Sequence, residues 1–315
     1  MKQTTKNGVL LLKKHKFWRN FSAAISVILL GFTVFFSGCK TLPAELDENK
    51  VDPLYLLDNE SSFYMAIPAA ADKKLIERII KNNLRDVSDS DAKNLSDRIT
   101  KVYCGLNRHK NHTEIQAAVE ADVPLKYVPS IMSKKNGWET MEYVSAQTAN
   151  KYNLYHKDSV DIAFPSKDLI CLGRNLVGMV ETYDYLKYNG DDCEDALFEP
   201  QLSDSLYDYL KTADNEIRFY ANKPQSFLTI LTGAQLNLQL VDVKGSFVTD
   251  PKHADQYLLS IEFNFKSEKY LKAGRSMLAL AFSLANGQEE IESSTKLKIS
   301  NIKLKKEQLY KIIVL

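Results

Sequence analysis

The feature that most constrains this 315-residue chain is its amino terminus, where an apolar run ends at a cysteine. Phe21–Phe36 holds sixteen residues without a charge, and Ser37, Gly38 and Cys39 follow at once. Six bases and no acid precede the cysteine. Sixteen residues suit the apolar core of a secretory signal and fall short of the roughly 18–20 that span a bilayer. The pattern predicts a signal peptide over residues 1–38, which places the rest of the chain outside the cytoplasm.

The segment Phe36-Ser37-Gly38-Cys39 resembles the lipobox of a bacterial lipoprotein precursor. Phe36 stands where the usual motif has Leu, and the basic region of residues 1–20 is long, as in spirochaete and especially treponemal lipoproteins. The resemblance implies cleavage after Gly38, a diacylglyceryl thioether on Cys39, and an acyl chain such as palmitate on the new amino terminus. Two or more acyl chains hold a protein stably on a membrane. Lys40 after the cysteine favours the outer membrane over the inner, and an uncleaved anchor is the alternative.

Removal of the signal changes the charge of the chain. The whole chain has net charge +1, whereas 35 bases face 40 acids after residue 38, a net charge of −5. Lys40–Glu60 carries six acids and two prolines, so we expect residues 39–60 to be a lipidated cysteine and a solvated acidic tether. An acidic, exported chain argues against nucleic acid as a partner.

Beyond the tether, strand-like and helix-like runs alternate, with hairpin turns rather than long crossovers. This order predicts an α+β fold with mainly antiparallel sheets. The polar loop Asn189–Asp195 divides it into two similar-sized α+β units, residues 61–188 and 196–315. Phe63-Tyr64-x-x-x-Pro68 recurs 156 residues later as Phe219-Tyr220-x-x-x-Pro224, which suggests internal duplication.

Two local patterns give definite predictions. Leu95, Ile99, Val102 and Tyr103 lie at helical spacing, which predicts a helix over Ser90–Leu106. Two long runs of alternating apolar residues predict strands over Leu236–Val248 and Gln256–Phe265. A long run with helical spacing predicts a helix over Ser267–Ala285.

Motifs for catalysis are absent from the sequence: it has no G-x-S-x-G, H-E-x-x-H, G-x-x-x-x-G-K-[ST] or G-x-G-x-x-G. Cys104-x4-His109-x2-His112 has no evident fourth ligand for a metal. Asp191–Asp195 and Asp86–Asp91 lack the alternating spacing of a calcium loop. We therefore predict no catalytic residue, no cofactor and no metal site.

Three cysteines follow Cys39, namely Cys104, Cys171 and Cys193. An odd number outside the cytoplasm leaves open one disulfide with a free thiol, or no disulfide. Cys171 lies in the apolar run LICLG, which predicts a buried, unreactive thiol.

Aromatic side chains are concentrated in the middle of the chain, where nine of the 16 tyrosines lie between Tyr143 and Tyr220. Tyrosine combines a flat apolar face with a polar tip and suits contacts with a protein or small ligand, although it also suits half-buried core positions. The candidate contact residues are Trp138, Tyr183, Tyr185, Tyr188, Tyr207 and Tyr209.

The last fifty residues are basic, with ten bases and five acids from Lys266 to Leu315. Lys266, Lys269, Lys272 and Arg275 recur every third residue along the predicted long helix. This spacing is typical of the solvated side of an amphipathic helix, and it also predicts a candidate face for anions or lipid headgroups.

The sequence as a whole favours a membrane-anchored envelope lipoprotein with a non-catalytic binding or structural role, whose partner is an envelope protein or a small ligand. One alternative is an envelope hydrolase that uses carboxylates such as Asp161, Asp168 or the Asp191–Asp195 loop. The other is an extracytoplasmic solute-binding lipoprotein with a cleft between its two units.

Overall fold

A computed structural model describes residues 50–83, 87–108, 113–189, 201–282 and 287–314. In these ranges twelve strands form one sheet in the order β11-β12-β10-β9-β8-β1-β2-β3-β7-β6-β5-β4, and every neighbouring pair is antiparallel. Eight α-helices accompany the sheet. The predicted α+β fold with antiparallel pairing is confirmed.

The strands are β1 (Phe63–Pro68), β2 (Ile99–Arg108), β3 (Thr113–Ala121), β4 (Glu139–Val144), β5 (Lys151–Lys157), β6 (Val160–Ser166), β7 (Leu169–Gly173), β8 (Ile217–Ala221), β9 (Leu240–Thr249), β10 (Gln256–Phe265), β11 (Gln288–Ile291) and β12 (Lys296–Lys305). The helices are α1 (Ala69–Asn83), α2 (Asp89–Ser96), α3 (Val128–Ile131), α4 (Leu176–Asn189), α5 (Asp204–Lys211), α6 (Gln225–Thr232), α7 (Glu268–Phe282) and α8 (Lys306–Val314).

Helices cover both faces of the sheet, and each face is covered by a different set of helices. On the face of Met65 and Phe219, helices α1, α6, α7 and α8 close a core that runs from β3 to β12. On the opposite face, which holds Tyr64 and Tyr103, helix α4 packs over β6 and β7, and helix α5 packs over β1 and β8. Alternate residues of a strand point to opposite faces, so Tyr64 and Met65 belong to different cores.

The two predicted units share one sheet, because β1 and β8 pair at its centre. Tyr64 lies opposite Tyr220, with Phe63 opposite Ala221 and Met65 opposite Phe219. This register relates the two Phe-Tyr segments by a local two-fold rotation about the tyrosine pair. The two segments that recur 156 residues apart in the sequence are therefore also related by the symmetry of the strand pairing. Internal duplication stays an interpretation of that symmetry.

The predicted helix over Ser90–Leu106 is wrong beyond its first part. Helix α2 ends at Ser96, and strand β2 begins at Ile99 and pairs with both β1 and β3. Both faces of β2 are covered, since Tyr103 and Cys104 are buried on opposite sides. A strand buried on both faces carries apolar residues without strict alternation, and its pattern then resembles a helix.

Asp72 joins three elements beneath the surface of the larger core. Its side chain is 4% exposed and accepts hydrogen bonds from the Leu75 N–H at 3.0 Å, the Tyr257 hydroxyl at 2.7 Å and the Lys306 ammonium at 2.5 Å. Burial acts to raise the pKa of Asp72, but these hydrogen bonds outweigh it and hold the pKa below its ordinary value. The carboxylate therefore stays ionised and ties α1, β10 and α8 together.

We expect Asp72→Asn to lower the free energy of unfolding by about 3 kcal/mol at neutral pH, because it leaves the Lys306 ammonium partly buried without its counter-charge. The folded pKa lies below the unfolded one, so the stability that Asp72 adds is present above its ordinary pKa of 3.8 and is lost as pH falls through the folded value. Urea unfolding at neutral pH and at about pH 3 checks this, because the difference in free energy of unfolding between the variant and the wild type should shrink in acid. Glu268→Gln, at an exposed carboxylate, is the control; an equal loss there would contradict the assignment.

Candidate functional site

Several residues singled out in the sequence lie outside the described ranges. These are the lipidation and cleavage residues Cys39 and Gly38, His109 and His112, and the acidic loop Asp191–Asp195. The predictions made for them stay predictions.

The chain enters the fold well before the predicted end of the tether. Val51, Leu54, Leu56 and Leu57 are buried in the core under α4 and α5, around a 3-10 turn over Pro53–Leu56. The structure therefore makes residues 50–60 part of the domain rather than of the predicted tether. The sequence signal for this burial is the apolar run itself, because closely spaced leucines are rarely left exposed to solvent.

Two acidic side chains of this entering segment are held by the domain. Asp52 accepts a hydrogen bond from the Tyr207 hydroxyl at 2.5 Å and forms an ion pair with Lys211. Asp58 receives two parallel bonds from the Arg174 guanidinium, at 2.6 and 2.7 Å. Bidentate, mostly buried pairs of this kind are the stronger ion pairs in proteins, so the entry point is fixed to the sheet and to α5.

Most of the candidate aromatic contacts turn out to be packing residues. Trp138 and Tyr183 are each 6% exposed. Tyr185, Tyr207 and Tyr209 are partly buried against the same core as α4 and α5, and the Tyr209 hydroxyl donates to the Gly245 carbonyl at 2.7 Å. Tyr188, 76% exposed at the end of α4, remains as the side chain placed for a contact.

The basic side of α7 is exposed as the sequence predicts. Lys272 pairs with Glu268 at 2.6 Å and Arg275 with Glu289 at 2.8 Å, whereas Lys269 projects from the exposed side of the helix. Apolar side chains share this outer surface: Tyr270, Met277 and Leu280 are 42%, 38% and 79% exposed. Between α7 and β11 lies an open groove of about 540 Å³, which the Arg275–Glu289 pair crosses.

Carboxylate chemistry finds little support in the described part of the chain. Asp161 is the second residue of β6, where it hydrogen-bonds to His156 at 2.7 Å, and Asp168 lies two residues beyond the end of that strand. The five residue steps from Asp161 to Ser166 span about 17 Å, well beyond the separation of roughly 5–9.5 Å at which two carboxylates act on one glycosidic bond. The described residues contain no group of three His, Cys, Asp or Glu side chains able to hold a metal ion.

The chain was compared with known proteins. The model of the family described as outer membrane-associated lipoprotein TP0453 matches residues 48–310. The chain belongs to this family. Crystal form I of TP0453 is similar to the chain with a TM-score of 0.64 at 20% identity, over 84% of this chain and 97% of that one. For crystal form III the TM-score is 0.61 at 20% identity, over 84% and 98%. A comparison with curated proteins gives no match.

Membership of the TP0453 family confirms the resemblance to spirochaete lipoproteins and the predicted location in the envelope at the outer membrane. The two crystal forms, at 20% identity, support the fold alone. No helix within the described ranges is both long and apolar enough to cross a bilayer.

Cys104 and Cys171 are free and buried in different cores, on opposite faces of the sheet. Strand β3 lies between them, with Ala117 beside Cys104 and Ala118 beside Cys171. Burial raises the pKa of the Cys104 thiol to about 12 and raises that of Cys171 as well. Both thiols are therefore protonated at neutral pH and shielded from reagents.

In a chain carrying Cys39→Ser and Cys193→Ser, we expect no reaction of the two remaining thiols with a disulfide reagent at pH 8 while the domain is folded. A pKa of about 12 leaves about one Cys104 thiol in ten thousand ionised at that pH. Denaturation with guanidinium should expose both thiols and give two equivalents of product. Prompt release of one equivalent from the folded chain would contradict the buried positions.

Proposed function

We propose that this chain is an acylated lipoprotein whose domain has a non-catalytic binding or structural role at the outer membrane. Family membership supports the location and the lipoprotein class. The lipobox ending at Cys39 supports the covalent anchor.

The observation that carries the proposal is the small number of residues between the lipid site and the folded domain. Only residues 40–49 separate Cys39 from Lys50, where the described fold begins. Asp52 and Asp58 then fasten the entering chain to α5 and to Arg174. A domain held this firmly, so close to its anchor, stays at the membrane surface.

Three features of the domain support a non-catalytic role. The carboxylate of Asp161 lies near the start of β6, and that of Asp168 lies beyond its other end. The Cys104 and Cys171 thiols are buried. The pairing of β1 with β8 makes a continuous sheet where a solute-binding protein of two units would have a cleft.

We expect Cys39→Ala to abolish labelling by radioactive palmitate in a bacterial host that processes lipoproteins, because the thioether cannot form without the thiol. The protein should also leave the membrane fraction. Cys193→Ser is the matched control and should keep full labelling. Palmitate incorporated into the Cys39→Ala chain would contradict the assignment.

A second proposal concerns the basic side of α7, formed by Lys269, Lys272 and Arg275 together with Lys266, which precedes the helix. We propose that it binds anionic groups, either carboxylates of a protein or headgroup phosphates, on a surface other than the leaflet that holds Cys39. Its exposed mixture of bases with Tyr270, Met277 and Leu280 is typical of helices that lie at an interface. Glu268 and Glu289 offset the charge of two of the four bases, so Lys266 and Lys269 carry most of the attraction.

We expect Lys266→Gln with Lys269→Gln to weaken binding of the unacylated domain to phosphatidylglycerol vesicles by about fivefold for each lysine at low salt. Vesicle sedimentation measures the binding. Lys303→Gln with Lys305→Gln removes the same charge from exposed positions of β12 and is the control. A larger loss from the β12 pair would contradict the proposal for α7.

A further inference from the structure

The point where the tether joins the domain has a definite place in the fold. Lys50 lines a small cavity together with Ser166 and Asp168, from the turn between β6 and β7, and Lys187, from the end of α4. Tyr188, the exposed aromatic residue, directly follows Lys187. The anchored end of the chain therefore leaves the domain beside this turn and the end of α4.

A third loop adjoins the same turn. The Val123 N–H donates to the Lys167 carbonyl at 2.6 Å, which fastens the loop after β3 to the β6–β7 turn. Leu125, 39% exposed, and Lys126 follow on this loop. Lys126 and Lys167 are both exposed, as is Lys50. We name the anchor patch for these residues: Lys50, Leu125, Lys126, Lys167 and Tyr188.

The anchor patch contains three lysines and no acid. Asp122 on the same loop is paired with Arg98 at 3.1 Å, and Asp168 is half-buried and lines the small cavity together with Lys50. The tether itself has one base and three acids in residues 40–49, so it has no attraction of its own for anionic headgroups. Attraction to such a surface has to come from lysines of the folded domain.

The number of residues between Cys39 and Lys50 favours contact of the membrane with the part of the domain nearest Lys50. Eleven Cα–Cα steps from Cys39 to Lys50 span at most about 40 Å. The sheet is about 53 Å wide at twelve strands. Helix α7 packs over β10 and β12 on the other face, and β10 is six strands from β7, or about 29 Å along the sheet.

We propose that the anchor patch binds the anionic headgroups of the membrane that holds Cys39, and that the domain stands on this patch rather than on α7. The proposal rests on acylation of Cys39. Three lysines supply the electrostatic attraction, since each basic side chain near an anionic leaflet favours binding by about fivefold. Tyr188 and Leu125 reach the headgroup level, where amphipathic aromatic side chains are favoured.

The test uses the full acylated chain with Cys193→Ser, reconstituted into phosphatidylcholine vesicles with or without phosphatidylglycerol. A fluorophore is attached at one of two exposed positions. Gln147→Cys lies in the turn that Asp184 of α4 binds through Ser145 and Thr148, near the anchor patch. Ala273→Cys lies on the outer side of α7. Lipids with a nitroxide on the headgroup quench whichever fluorophore lies at the surface.

We expect quenching at position 147 and not at position 273, and we expect it to strengthen with phosphatidylglycerol. The variant Lys50→Gln, Lys126→Gln, Lys167→Gln should lower the population quenched at position 147 by about fivefold for each lysine. Lys266→Gln, Lys269→Gln, Lys272→Gln removes equal charge from α7 and should leave that quenching unchanged.

Flotation with the vesicles separates the two proposals. A wild-type chain that fails to float overturns the acyl anchor, and the anchor patch with it. A chain that floats but is quenched at position 273, or equally at both positions, overturns the anchor patch alone. Loss of quenching at position 147 in the α7 variant, with no loss in the anchor-patch variant, also overturns the anchor patch alone.

Discussion

The pairing of β1 with β8 is the contact on which the rest of the structure depends. Each of them is the first strand of one of the two predicted units, and their side-by-side position joins the strands of both into one sheet of twelve strands. Phe63 stacks on Phe219 across the junction at 5.7 Å between ring centres, and both rings pack on Phe227 of α6. The larger core therefore belongs to both units, and neither unit keeps an intact core without the other.

The fold could be predicted where the environment of an element is one-sided. Strand β10 matches its predicted bounds because one face is buried and the other lies among ion pairs such as Lys244–Glu262, which produces strict alternation. Strand β2 could not be predicted, because burial on both faces removed that alternation. Strands β4 and β5 at the sheet edge were also missed, since exposed polar positions such as Glu142 and Asn153 carry little periodic signal.

Some residues of the candidate site could be predicted from their neighbours in the sequence, whereas others depend on segments that are distant in the chain. The lipobox is a contiguous motif, so Cys39 and Gly38 could be predicted from adjacent residues alone. Whether an aromatic side chain is a contact or a core residue depends on what packs over it from elsewhere in the chain. The sequence makes Trp138 a candidate contact residue, yet it lies in a small core with Val119 and Ile162 of two strands. The anchor patch likewise brings together lysines far apart in sequence.

The place where the chain enters the fold bears directly on how the proposed anchor would orient the domain. Burial of Leu54 and Leu57 places residues 50–60 in the domain, although the sequence predicts a tether over residues 39–60. In the proposed arrangement the residues around Lys50 meet the headgroups, and the basic side of α7 lies about 29 Å away across the sheet. In that arrangement α7 is turned toward partners of the lipoprotein other than its own leaflet.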